Sequence, residues 1–312
     1  MAGRKWRAAL RRIVDSSIDP FFIEGVQASW ASLANAGPDT VAAKIFEIAN
    51  FQGMSDQAAH AWLGVNGIPN FRELRGRLEA QKCQHLSTIP GMAKCCFKKG
   101  RHICANSDLL ANCVVRSIPA RKGQLAQLAI ALCHWTDELP QGGLATWLDT
   151  LSKTMPPNEA ADSMVDSLKS LPGISDKVAS MIASDMAIGL GSDNSQLLEA
   201  GTSLVVVDRL VHNILIRSGA TDFAGRTHAF GAGCYAKNGC RELVEQLAQT
   251  IDARRYNEHW PARAPRMVQH ALWRFCAGGE LNACNGRNIA ANSRCNFKAC
   301  PASGVCTRLP IQ

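Results

Sequence analysis

Apolar residues recur at helical spacing along almost the whole chain, and this pattern constrains the fold more than any other feature of the sequence. Between residues 39 and 48, for example, Val41, Ile45 and Ile48 fall on one stripe of a helix. Only two tyrosines are present, and few β-branched residues alternate with polar ones, so an extensive sheet is not expected. The sequence therefore predicts an all-α fold. Helices are predicted at 39–48, 56–63, 70–80, 122–133, 143–151, 159–169, 176–188, 208–218, 241–252 and 265–276.

Composition and charge narrow the class of protein further. The 312 residues are 46% apolar, which supplies a sizeable core and excludes disorder along the whole chain. We expect neither a membrane-spanning segment nor a secretory signal, and thus a cytoplasmic (nucleoid) or nuclear protein, not a secreted one. Because the net charge is +8, nucleic acid is the first partner to test. We expect the chain to act as a monomer.

The first twelve residues are basic, with no acid before Asp15. Three interpretations are open: a solvated first helix, an organellar transit peptide, or a basic arm that contacts DNA. The sequence suggests three segments: a helical region at 1–115 without an assignment, a helical domain at 116–220, and a C-terminal helical lobe at 221–312 with a cysteine-rich loop.

A turn interrupts the helical pattern at Leu171, Pro172, Gly173, Ile174 and Ser175, and a further helix follows at once. Such a turn can direct unpaired backbone N–H groups toward a phosphate at a helix N-terminus, so these five residues are candidates for DNA binding. The simpler interpretation is an ordinary corner between two helices.

The motif L-P-G-I-x-x-K-V-A, at residues 171–179, resembles the helix-hairpin-helix of the DNA glycosylase superfamily that includes endonuclease III and the 8-oxoguanine glycosylases. Ser175 stands where that family has its second glycine. Residues 141–148 are similar to the corresponding region of the 8-oxoguanine glycosylases. The resemblance implies a two-lobed helical fold that holds duplex DNA and a flipped nucleotide in its cleft.

The same resemblance implies that Lys177 is the catalytic nucleophile. A deprotonated amine can attack C1′ of the sugar, displace the base and form a Schiff base that undergoes β-elimination. Because a lysine in water has a pKa of about 10.4, its surroundings must lower that value. A surface lysine that only contacts phosphate is the alternative.

The second catalytic group implied by the resemblance is Asp208, at the start of a helix and after the apolar run 204–207. There its carboxylate would stabilise positive charge on the sugar, although an aspartate at this place is also a preferred helix N-cap. Leu210 replaces the family's histidine, and His212 receives no role. Residues 189–195 are interpreted as an inserted loop that makes the interval from Lys177 to Asp208 longer than in endonuclease III.

Thirteen cysteines are many for a chain expected in a reducing compartment, which directs attention to metal ligation. Cys284, Cys295, Cys300 and Cys306 lie in a short C-terminal loop and suit either a zinc ion or a 4Fe-4S cluster. Members of the same superfamily carry such a cluster after the last helix with the spacing C-x6-C-x2-C-x5-C. The last interval agrees here and the first two are longer. Cys276 could replace Cys284.

A second group of soft ligands occurs between residues 83 and 104. A zinc site is conceivable there, but free thiols are the simpler interpretation, since adjacent cysteines rarely bind one ion together. The sequence of residues 89–94 is weakly similar to that of the hairpin, and this segment is either a second phosphate contact or a plain turn. The ligands in question are Cys83, His85, Cys95, Cys96, His102 and Cys104.

The resemblance implies a DNA glycosylase with associated abasic-site lyase activity, acting on double-stranded DNA that contains a damaged or modified base. In a monofunctional alternative, Asp208 directs water to the sugar and Lys177 only positions it. A non-catalytic DNA-binding protein and a regulator that senses redox state through its cysteines are the alternatives from other classes.

Overall fold

The computed structural model describes residues 2–51, 56–80, 82–92, 94–95, 112–120, 123–225, 228–285, 289 and 292–311. Within these ranges the chain is helical and contains no β-strand, so the all-α prediction is confirmed. Short 3-10 turns join some of the helices. The α-helices are α1 (Ala2–Ser17), α2 (Phe22–Trp30), α3 (Pro38–Ala49), α4 (Asp56–Asn66), α5 (Phe71–Glu79), α6 (Ile89–Met92), α7 (Gly123–Asp137), α8 (Gly143–Thr154), α9 (Pro157–Lys169), α10 (Asp176–Leu190), α11 (Ser195–Ser203), α12 (Arg209–Arg217), α13 (Ala220–Phe223), α14 (Cys240–Ala248) and α15 (Pro265–Cys276).

Three helices of nine or more residues, α1, α2 and α11, are absent from the helices predicted from the apolar pattern. In α2, Gly25 interrupts the middle of a short segment, and glycine disfavours a helix interior. In α11, Asn194 caps the helix by accepting a hydrogen bond from the Leu197 amide at 3.0 Å. Of the residues interpreted as an inserted loop, 189–190 belong to α10 and Ser195 begins α11, so only residues 191–194 lie between helices.

The chain forms two compact units. The first consists of residues 1–28 and 187–312, and the second consists of residues 29–186. The beginning and the end of the chain thus build one core together. The three segments suggested from the sequence, with boundaries after 115 and 220, stay a prediction.

In the first unit, α1 is amphipathic and takes part in the core. Trp6, Leu10 and Val14 are almost fully buried, while Lys5 and Arg11 on the opposite side are exposed. Burial of side chains of this size contributes about 1.5–3 kcal/mol each. The expectation of a solvated first helix is therefore right for the basic side of α1 and wrong for its apolar side.

In the second unit, Arg75 of α5 links three helices. Its guanidinium donates to the Asp39 carboxylate of α3 at 2.6 Å, and to the Cys133 carbonyl at 3.1 Å and the Thr136 hydroxyl at 2.6 Å in α7. It also forms an ion pair with Asp137. Since the Arg75 side chain is only 18% exposed, these bonds replace the water that its charge loses on burial.

None of the described helices is both long and apolar enough to cross a bilayer.

Candidate functional site

The predicted hairpin is a tight turn between α9 and α10. The Ile174 amide donates to the Leu171 carbonyl at 3.3 Å, and Gly173 has a φ of +85°. A β-carbon added at Gly173 would lie 3.2 Å from the Cβ of Gln124, so the turn needs glycine both for its left-handed backbone and for its close approach to α7.

The N-terminus of α10 offers backbone donors. The Ala179 amide donates to the Ser175 carbonyl at 2.8 Å, which is the first bond of this helix. The amides of residues 176–178 precede it and therefore have no partner within the helix. Beside them, the Lys169 ammonium and the Asp176 carboxylate form an ion pair at 2.7 Å.

Lys177 lies in the first turn of α10 and is partly buried. Among the described residues, no group forms a hydrogen bond or an ion pair with its ammonium. Lys177 belongs to the second unit and Asp208 to the first, so each is described within its own unit. Their action as a pair stays a prediction.

Asp208 is the N-cap of α12, because its carboxylate accepts a hydrogen bond from the Val211 amide at 2.8 Å. The capping role predicted for this residue is thus present. The run before it, residues 204–207, is buried, and the Val207 amide donates to the Tyr235 hydroxyl at 2.8 Å. Asp208 itself is only partly buried and directly follows this buried apolar segment.

The four tail cysteines predicted as ligands line one pocket of the first unit. The Arg217 side chain, itself 1% exposed, lines the same pocket. A hydrogen bond from Cys276 lowers the pKa of Cys284, and the charge of Arg217 lowers it further, against the opposing effect of burial. The pocket therefore favours a thiolate at Cys284, which is the form that binds metals.

Three neighbouring thiols, those of Cys276, Cys300 and Cys306, have a raised pKa instead. Burial raises the pKa of Cys300, and it raises the pKa of Cys306 to about 11. The pKa of Cys276 is also raised, first by burial and then by its hydrogen bond to Cys284. Loss of these protons requires a strong positive charge in the pocket, such as that of a bound metal.

A further group of histidine and cysteine side chains lies in the first unit, separate from the cysteine tail and from the stretch at 83–104. The donor atoms of His212, His228, Cys234 and Cys240 all lie within 4.8 Å of one another. In the part of the chain that the structure describes, it is the one group of three or more such side chains that could hold a single metal ion. His212 is on α12, His228 and Cys234 are in the loop after α13, and Cys240 begins α14.

The two thiols of this group share a proton. The pKa of Cys234 is lowered to about 4, chiefly because Cys240 donates a hydrogen bond to its sulfur. The pKa of Cys240 is raised, chiefly because the same bond holds its proton. Of the two sulfurs, that of Cys234 therefore loses its proton more readily.

Sequence reasoning missed this group, since His212 received no role and the other three residues were not considered. The spacing H-x15-H-x5-C-x5-C matches no common zinc motif. The only available signal was the clustering of two histidines and two cysteines between residues 212 and 240.

The structure describes only part of the cysteine-rich stretch at 83–104. Cys83 and Cys95 lie near Cys113, whose pKa is raised by burial and, less strongly, by these two thiols. Residues 89–92 form the short helix α6, with the Gly91 amide donating to the Thr88 hydroxyl at 3.1 Å. The remaining ligands considered there, Cys96, His102 and Cys104, lie outside the described residues.

Comparison with protein-family profiles, with curated proteins and with solved structures gives no match to this chain. The resemblance to the helix-hairpin-helix glycosylases rests on the motifs quoted above and stays a prediction.

Proposed function

We propose that this chain is a DNA glycosylase with associated abasic-site lyase activity, and that it belongs with the helix-hairpin-helix glycosylases in a two-lobed helical fold. The observation that carries the proposal is the turn at 171–175. It has glycine in the left-handed conformation and places Lys177 in the first turn of α10.

Binding of the DNA backbone is the first step. The unpartnered amides of residues 176–178 are suited to one phosphate, because they point along the positive end of the α10 dipole. These contacts carry no sequence information, so they fix the register of the protein on the duplex. The target nucleotide must then leave the base stack, since C1′ cannot be reached within the duplex.

Chemistry follows at C1′ of the extruded nucleotide. The amine of Lys177 forms a bond to C1′ while the bond from C1′ to the base breaks, and the base leaves with the electron pair. Loss of a proton and opening of the sugar give a Schiff base, and β-elimination then expels the 3′ phosphate. The carboxylate of Asp208 stabilises the positive charge that develops on the sugar.

The tail is proposed to hold a 4Fe-4S cluster through Cys284, Cys295, Cys300 and Cys306. Four sulfurs around one zinc ion would lie about 3.8 Å apart, given Zn–S bonds of about 2.3 Å. These four line a common pocket without forming such a close group, which favours the larger inorganic core. Bound there, the cluster would fix a tail that is too short to build its own core.

Iron and sulfide analysis of the anaerobically purified chain tests this cofactor. We expect about four irons per chain and a brown colour that Cys300→Ser removes. A colourless chain with zinc bound by four sulfurs would show the zinc alternative to be correct.

Borohydride trapping tests the activity. A duplex with a preformed abasic site should be used first, because it removes the question of which base is excised. Reduction should join the wild-type chain covalently to this DNA, and Lys177→Gln should give no product. The matched control is Lys153→Gln, which removes an exposed lysine of α8 that is paired with Asp149.

Other outcomes separate the alternatives. Release of a base without trapping would leave a monofunctional glycosylase, in which Asp208 activates water. Binding of DNA with neither trapping nor base release, across duplexes with oxidised, deaminated, alkylated or hypermodified bases, would identify a non-catalytic binding protein. The glycosylase proposal would then be wrong.

A further inference from the structure

We propose that His212, His228, Cys234 and Cys240 form a closed structural zinc site. The proposal is independent of the glycosylase activity, because it concerns neither Lys177 nor the cysteine tail.

Three distances between the donor atoms are close to those of a tetrahedral zinc site, and all four atoms lie within 4.8 Å of one another. Zn–S bonds of about 2.3 Å and Zn–N bonds of about 2.0 Å place neighbouring ligand atoms about 3.3–3.8 Å apart. The Nδ1 atom of His212 lies 3.2 Å from the sulfur of Cys240 and 3.5 Å from that of Cys234. The Nε2 atom of His228 lies 3.3 Å from the sulfur of Cys240.

Hydrogen bonding alone does not account for this convergence. A neutral imidazole nitrogen carries either one hydrogen or one lone pair, so His212 Nδ1 cannot make full hydrogen bonds to both sulfurs. The sulfur of Cys240, which can donate one hydrogen bond and accept another, has an imidazole nitrogen on two sides. One cation among the four donor atoms would satisfy all of them at once.

Burial indicates a structural site. Cys234 and Cys240 are fully buried, His212 is 4% exposed and His228 is partly buried, so water has little access to three of the four ligands. Catalytic zinc sites keep one position open to water or substrate, whereas structural sites use four protein ligands. Two cysteine sulfurs and two imidazole nitrogens within 4.8 Å of one another suit zinc better than they suit the harder divalent cations.

The loop that carries two of the ligands is built for close packing. A β-carbon at Gly233 would lie 3.1 Å from the His228 ring, and one at Gly239 would lie 2.4 Å from the Gly233 carbonyl oxygen. Gly231, with a φ of +136°, allows the turn before Cys234. A zinc ion would join this loop to α12 and α14, and would fix a segment that, in its described residues, forms no long helix of its own.

Metal analysis of the full-length chain tests the site. The wild-type protein should contain one zinc ion per chain more than Cys234→Ser does. Two controls should keep this zinc: Cys300→Ser in the tail, and Cys133→Ser, which removes a buried thiol bonded to the Ala129 carbonyl in α7.

X-ray absorption on the wild-type chain gives an answer even if Cys234→Ser fails to fold. At the zinc edge, two sulfurs at about 2.3 Å and two nitrogens at about 2.0 Å are expected for this site. A second zinc bound by the four tail cysteines would raise the average to about three sulfurs and one nitrogen per zinc. Cys300→Ser would remove that contribution. Wild-type protein that binds no zinc from excess Zn²⁺, or zinc bound by sulfur only, would overturn the proposal.

Discussion

At the scale of single residues, Asp208 combines two roles that substitution can separate. Its carboxylate caps α12 and, in the proposed mechanism, also faces the sugar. Asparagine caps a helix as well as aspartate does but carries no charge, whereas alanine removes both properties.

Asp208→Asn should therefore abolish most of the base release while changing the free energy of unfolding by less than about 0.5 kcal/mol. Asp208→Ala should show the same loss of activity and a further loss of about 1 kcal/mol in stability. Urea unfolding and single-turnover kinetics measure the two effects. Equal activity of wild type and Asp208→Asn would exclude a catalytic charge at this position.

The lowered pKa of His270 predicts that the free energy of unfolding depends on pH. Its ring lies 4.1 Å from that of Phe22 and stacks on Trp273, and burial, aided by Arg266 and Arg274, lowers its pKa to about 3. The unfolded chain takes up this proton near pH 6.5 but the folded chain does not, so the stability from neutral His270 is present above pH 6.5 and is lost as the pH falls.

Between pH 7.5 and pH 5, this residue should account for a decrease of about 2 kcal/mol in the free energy of unfolding. His270→Phe keeps an aromatic ring beside Phe22 and Trp273 and should remove that part of the decrease. Urea unfolding of both proteins across this pH range measures the difference. Parallel curves for the two would show that His270 is protonated in the folded chain.

A continuous sequence motif located Lys177, but no motif located the four histidine and cysteine ligands. Lys177 was placed at a helix start because its motif is continuous in sequence, and α10 does begin at Asp176. The ligands His212, His228, Cys234 and Cys240 converge only through the folding of α12, a loop and α14, so no local pattern marks them.

At the scale of elements, the apolar periodicity predicted most of the helices of nine or more residues and missed α1, α2 and α11. Helices such as α3 and α7 bury a continuous stripe, so their sequences show it clearly. In α11 only nine residues are helical, and Gly201 is buried where a β-carbon would lie 2.8 Å from the Ile188 backbone nitrogen. Short helices held by close packing leave a weak pattern.

From the geometry of the turn at Gly173 we predict how the addition of one methyl group there changes stability and DNA binding. Gly173→Ala places a β-carbon against α7 and forces a left-handed backbone, which together cost at least about 1–2 kcal/mol of stability. Because the turn positions the start of α10, DNA affinity and trapping should fall as well.

The control is Gly76→Ala in α5, where a β-carbon meets nothing within 4 Å. That change should increase stability by about 0.5–1 kcal/mol and leave DNA binding unchanged. Thermal unfolding and duplex titration test both variants. A Gly173→Ala protein with wild-type affinity and trapping would separate the hairpin from the function.

At the scale of the whole molecule, the sequence could not predict which helices share a core. The first unit joins residues 1–28 with residues 187–312, and α1 packs with helices that lie far along the chain. Periodicity gives the buried face of each helix but not its partner. For this reason, the interpretation of the first helix as solvated was wrong for the apolar side of α1.

The net charge of +8 predicts how DNA binding depends on salt. Each phosphate contact releases a counterion, so the logarithm of the binding constant falls by about 0.9 per contact for each unit in the logarithm of salt concentration. Between 50 and 200 mM salt, three contacts reduce the affinity by about 40-fold. If Lys177 contacts a phosphate as well as the sugar, Lys177→Gln should lower the slope by about one unit, whereas Lys153→Gln should not. Fluorescence anisotropy with an undamaged duplex measures both slopes, and affinity that does not change with salt would contradict a backbone-binding surface of any kind on this protein.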